Sequence, residues 1–141
     1  MLLQNKTIAI VGGGPGGLTL SRLLQGQGAV LTVYERDADR SSRGQGTTLD
    51  LHEDSGLKAL RIAGLLEEFK KRYRPGADRL RVTDKNAKIL FDDHAAKTSE
   101  DFGSEHFRPE IDRGPLRDLL IESLLPGTIR WNTGNRSQIL P

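Results

Sequence analysis

The chain has 141 residues, enough for one domain with a real core, and it balances 21 lysines and arginines against 19 aspartates and glutamates. A net charge of +2 with both signs interspersed argues against nucleic acid or an acidic membrane surface as partner. The absence of cysteine excludes disulfides and thiolate metal sites, and the lack of any long apolar run predicts neither signal peptide nor membrane span, hence a cytoplasmic protein.

After a short lead-in, residues 7–11 (TIAIV) form an apolar, β-branched run that reads as a buried parallel strand. Gly12, Gly14 and Gly17 follow at G-x-G-x-x-G spacing, and Leu18, Leu20, Leu23 and Leu24 then mark one face of a helix ending near Gly26 and Gly28. Each glycine has a physical reason. Gly12 allows a sharp turn off the strand, Gly14 lets a pyrophosphate approach the main chain, and Gly17 lets the helix pack closely on the strand. The free N–H groups and positive dipole end of the helix then face the phosphates, and Pro15 suits a first turn that needs no N–H there. Residues 29–34 (AVLTVY) read as a second strand with Glu35 at its end, where a carboxylate accepts hydrogen bonds from the ribose hydroxyls of an adenosine.

Residues 36–46 are polar and unpatterned, a loop carrying Arg36, Arg40 and Arg43. Arg40 reads as an ordinary solvated residue. Arg36, next to the ribose acid, could lie over the adenine, sit near a phosphate or favour a 2′-phosphate, though Glu35 would repel the last of these. Residues 47–52 alternate weakly as a short strand in which Asp50 projects away from Leu49 and Leu51. A helix is predicted over 53–63, capped by Asp54 or Ser55 and ended by Gly64, and a second over 65–72, stopped by Pro75 and Gly76.

Residues 79–92 predict a β-hairpin turning at Asp84, Lys85 and Asn86. Residues 94–107 read as a loop, and the spacing of His52, His94 and His106 argues against a histidine metal site. Residues 109–112 lead into a helix over about 113–125, with Asp112 as N-cap, Pro115 in the first turn and a stripe of Leu116, Leu119, Leu120 and Leu124. Residues 128–131 read as a short strand and 132–141 as a polar tail. Arg113 sits where the helix dipole favours anions. It is either a surface residue offset by Asp112 and Glu110 or a contact to a bound anion.

These segments (GGGPGGLTLSRLLQ, VYERD, GTTLDLHEDSGLKALRIAGLLEEF and PEIDRGPLRDLLIESL) closely resemble the amino-terminal third of single-component flavin-dependent aromatic hydroxylases. The nearest subgroup looks like the tetracycline-inactivating monooxygenases. The TLDLH stretch and the IDR-x-x-LR helix start are its most specific pieces, and an NAD(P)-dependent dehydrogenase gives no account of them. The resemblance implies a tightly bound FAD that NADPH reduces, and transfer of one oxygen atom to an aromatic or polyketide substrate such as a tetracycline. It implies that Gly12, Gly14 and Gly17 hold the pyrophosphate, that Glu35 holds the ribose, and that Arg36 lies by the adenosine. It further implies that Asp50 and Arg113 contact FAD and that Arg43 serves the nicotinamide donor. No residue is assigned catalysis.

The fold expected is a Rossmann-like α/β domain with a small parallel sheet, helices on its faces, a hairpin excursion, and the first strand between helix-covered neighbours. Relatives in this family run to several hundred residues, so residues 1–141 are expected to be the amino-terminal, FAD-binding portion without the substrate domain, and inactive alone. A non-catalytic nucleotide-binding module and an inactive truncation are the alternatives.

Overall fold

The computed structural model describes residues 3, 6–42, 44, 46–94 and 101–134. Strand β1 (Thr7–Val11) runs into helix α1 (Pro15–Gly26) and then strand β2 (Val30–Tyr34). β1 and β2 pair in parallel from Thr7 opposite Val30 to Val11 opposite Tyr34. Ile10, Leu31 and Val33 point to the covered face and form a small cluster of their own. Val11 and Val30, each 71% exposed, point the other way. The apolar run that predicts a strand buried on both faces is thus covered on one face by the described residues.

β3 (Thr48–Asp50) follows, then the short helices α2 (Gly56–Ile62) and α3 (Leu66–Lys70), the hairpin strands β4 (Arg81–Thr83) and β5 (Ile89–Asp92), β6 (Glu110–Asp112), α4 (Arg113–Glu122) and β7 (Ile129–Arg130). The main core joins Leu18 of α1 to Leu57 and Leu60 of α2, Phe69 of α3, Ile111 of β6, and Leu116, Leu119 and Leu120 of α4. The leucines predicted as the α4 stripe are those found buried. A ring cluster flanks this core, with Phe102 edge-on to Tyr73 at 5.3 Å and to Phe107 at 5.0 Å.

The sheet order is β1-β2-β7, which corrects the expectation that β1 lies between its neighbours. Packing explains the order. Leu18 of α1 and the α4 leucines share one core, so both helices lie on the same face of the sheet. With right-handed crossovers, two helices share a face only when the strands advance in one direction, which puts β7 beyond β2. β7 reaches only the end of β2, pairing Ile129 with Val33 and Arg130 with Tyr34. Gln25, near the end of α1, fixes the α4–β7 turn: its side chain donates to Thr128 Oγ1 at 2.8 Å and accepts the Leu125 N–H at 3.2 Å.

Residues 109–112, read as a mere lead-in, include strand β6, antiparallel to β3, with Leu49 opposite Ile111 and Asp50 opposite Glu110. Three residues with one apolar side chain carry no period of their own; the strand exists because β3 is there to pair with it. The hairpin forms as predicted, its turn held by Asp84 Oδ1, which accepts the N–H groups of Asn86 and Lys88 at 2.9 Å each. Every residue of its two strands is exposed. Among the described residues no helix is long and apolar enough to cross a membrane.

Candidate cofactor-binding site

A cavity of about 480 Å³ opens at the carboxyl ends of β1 and β2, bounded by the glycine turn, Tyr34 to Asp37, Arg113 and Arg117 of α4, and Thr133 and Gly134 after β7. Open α/β sheets place ligands in this position. The turn begins at Gly12, whose φ of +105° lies where side chains are strained. A Cβ on Gly17 would collide with the Gly12 carbonyl oxygen, so the close helix–strand approach predicted for that glycine is real. A Cβ on Gly14 would meet nothing within 4 Å and would fill open space beside the cavity. The turn at Gly12 and the close packing at Gly17 thus follow the reasons that the spacing implies.

Two helices begin at this cavity. α1 starts with Pro15 after Gly14, and α4 starts at Arg113 after Asp112. Neither has a side-chain cap or an acidic residue in its first turn. Asp112 stands at the predicted N-cap position but does not cap α4; its Oδ1 accepts from Arg74 at 3.4 Å instead. The helix ends thus keep donors and positive dipole available to an anion. Arg113 lines the cavity and makes no ion pair with Asp112 or Glu110.

Glu35, 6% exposed, lies against the turn. Its Oε2 accepts the Gly13 N–H at 2.5 Å and its Oε1 accepts the Asp37 N–H at 2.9 Å. Each oxygen keeps acceptor capacity beyond these bonds. The carboxylate also explains Gly13, where a Cβ would approach Oε2 to 2.9 Å. Arg36 lines the same cavity and is exposed.

Asp50 is not brought to this cavity. It sits on β3, bonded to His52 at 3.2 Å, and borders a separate hollow with residues 77–80, Arg108 and Glu110. Arg43 lies outside the described residues.

Sequence reasoning passed over Arg117. It is 3% exposed, and its Nε donates to the Gly13 carbonyl at 3.1 Å. Its signal was an arginine four residues after Arg113 on the face of Leu120 and Leu124, a charge inside an apolar stripe. Arg40, read as merely solvated, bridges Asp118 at 2.5 Å and Glu122 at 2.6 Å. Arg40 and then Arg72, by their hydrogen bonds, hold the Glu122 carboxyl below its ordinary range. Asp92, Asp93 and His94 converge at the hairpin end, but Asp92 already bonds Arg81 at 2.8 Å and His94 at 2.8 Å.

Glycine turn, two uncapped helix starts, a buried carboxylate and lining arginines form the edge of a nucleotide-binding domain of the kind open α/β sheets build. Residues 5–110 match the family model described as FAD binding domain, and the chain belongs to that family. FAD is accordingly its cofactor, and the residues present fit it: the open space at Gly14 admits the pyrophosphate and Glu35 admits the ribose.

The chain is 35% identical over 131 residues to the monooxygenase penA of Penicillium thymicola, covering 89% of this chain and 28% of that protein. A solved structure from Photorhabdus luminescens, described as an FAD-containing monooxygenase, matches with a TM-score of 0.67 at 25% identity, over 89% of this chain and 30% of that one. The fold of the tetracycline destructase Tet(51) matches with a TM-score of 0.61 at 20% identity, over 90% of this chain and 30% of that one. The chain spans less than a third of the length of these relatives.

Proposed function

We propose that this chain is the FAD-binding portion of an NADPH-dependent flavoprotein monooxygenase that hydroxylates an aromatic or polyketide substrate, with a tetracycline-type molecule as the model case. The observation that carries the reading is the meeting of two uncapped helix starts with Glu35 and three arginines around one cavity at the sheet's carboxyl edge. The monooxygenase relatives support the reaction class, and the likeness to a tetracycline destructase fold suggests which substrates to try first.

FAD supplies the redox chemistry when bound. The chain's own residues do the holding. Gly12 and Gly14 bring main chain to the pyrophosphate, and Gly17 keeps α1 close enough for its N-terminus to serve it. Glu35 accepts the ribose hydroxyls, Arg36 lies by the adenosine, and Arg113 meets phosphate charge at the start of α4. By family resemblance Asp50, although it lies outside this cavity, is assigned to FAD, and Arg43 to the nicotinamide donor. The cavity lining offers binding groups and no nucleophile–base pair, so the chain by itself is proposed to bind without turnover.

Titration of the purified chain with FAD, read by quenching of flavin fluorescence, tests this beside Gly14→Glu. The expected result is saturable binding that ADP displaces, that Gly14→Glu abolishes, and that brings no NADPH consumption. Absence of binding in a folded chain would defeat the cofactor half of the reading. NADPH consumption by the chain alone would defeat the other half.

A further inference from the structure

The proposed pyrophosphate site rests on a turn whose conformation must be held before any ligand arrives, and one side chain is built to hold it. Arg117 donates from Nε to the Gly13 carbonyl at 3.1 Å, from one terminal nitrogen to the Arg40 carbonyl at 3.2 Å, and from the other to Asp37 Oδ2 at 3.3 Å. Its guanidinium also lies over the Trp131 ring at 5.4 Å. A single buried cation thereby ties together the glycine turn, the loop after β2 and the end of β7. The turn and the loop after β2 line the cavity, as do Thr133 and Gly134 just past Trp131, and the three segments come from distant parts of the chain.

We propose that Arg117 is a positioning residue for the diphosphate: it locks the Gly13–Gly14 peptide plane while Glu35 locks the plane before it. The geometry is explicit. Glu35 holds the Gly13 N–H and Arg117 holds the Gly13 C=O, so both peptide units flanking Gly13 are fixed by oppositely charged, buried side chains. A trans peptide carries its C=O and N–H in opposite directions, so fixing the Gly13 carbonyl also fixes where the Gly14 N–H points. Glycines on both sides of that peptide would otherwise leave it free to flip. Arg117 lines the cavity as well, so its charge favours the anion that the turn is shaped to receive. Lysine cannot replace it, because only the planar fork reaches three acceptors at once.

The inference rests on the nucleotide reading above, and the test separates the two. The full chain is titrated calorimetrically with ADP and, separately, with adenosine. Arg117→Met is expected to weaken ADP by about tenfold or more and adenosine by less than about threefold. Arg117→Lys, which keeps charge and stem, should lie closer to Met than to wild type. Asp37→Asn, which weakens one of the three arms, should keep the ratio of the two affinities. Equal loss of ADP and adenosine in Arg117→Met would overturn the proposal, as would no loss in a folded variant. Should Arg117→Met not fold, Arg117→Lys decides by the same ratio.

Wild-type protein that binds neither ligand would defeat the nucleotide reading alone. Arg117 is then judged in ligand-free protein by hydrogen exchange. The Gly13 amide should exchange about tenfold or more faster in Arg117→Met or Arg117→Lys, while the Leu31 amide in the sheet keeps its rate. Unchanged Gly13 exchange would overturn the proposal.

Discussion

Two regions of this molecule carry similar side chains with opposite outcomes. In the α1–α4 layer, Leu18, Leu116, Leu119 and Leu120 are almost wholly buried. In the β4–β5 hairpin, Val82, Ile89, Leu90 and Phe91 are between 40% and 63% exposed. The layer has its partners within the described chain, whereas the hairpin has an apolar run on β5 that occupies both of its faces. A sequence pattern states that a face is apolar; it does not state what covers it. The candidate nucleotide site is bounded by α1 and α4 of the buried region, so its geometry is supported from behind. The hairpin is held by its own turn and by Arg81 on Asp92 at 2.8 Å.

The contrast breaks most visibly at its strongest point. Leu120→Ala should cost about 2–5 kcal/mol in urea unfolding, because a fully buried side chain at the junction of α1 and α4 leaves a cavity. Gly17→Ala should cost about 1–3 kcal/mol and weaken FAD binding, since the added carbon forces α1 away from Gly12. Phe91→Ser should change stability by no more than about 0.5 kcal/mol while lowering the binding of an apolar dye, and a larger loss would show that the hairpin is covered in solution.

The smallest effect concerns pH. The backbone N–H of His94 first, and then Arg81, lower the Asp92 carboxyl to about 2. A carboxylate with a lowered folded pKa contributes its stability above the ordinary value of 3.8 and loses it as pH falls through about 2. A carboxyl-detected NMR titration should therefore find Asp92 still charged well below the ordinary value of 3.8, and Asp92→Asn should remove that dependence.

Much of the site was legible because its signals are local. Gly12, Gly14, Gly17 and Glu35 lie within one βαβ unit, and the cavity forms where their spacing predicts. What escaped is long-range. β6 has no period of its own, and the order β1-β2-β7 depends on two helices sharing a core. Arg117 finds its partner 104 residues earlier in the chain, a relation that no window of sequence displays.

That separation has a consequence for synthesis. The glycine turn and Glu35 leave the ribosome early, but Arg117 and Thr133, which bond them, follow 104 and 98 residues later. At about 5–20 residues per second the interval is roughly 5–20 s. During that time the nascent chain holds Glu35 without the buried cation that fixes the other side of Gly13, and the proposed cradle reaches its full geometry only once α4 has been made.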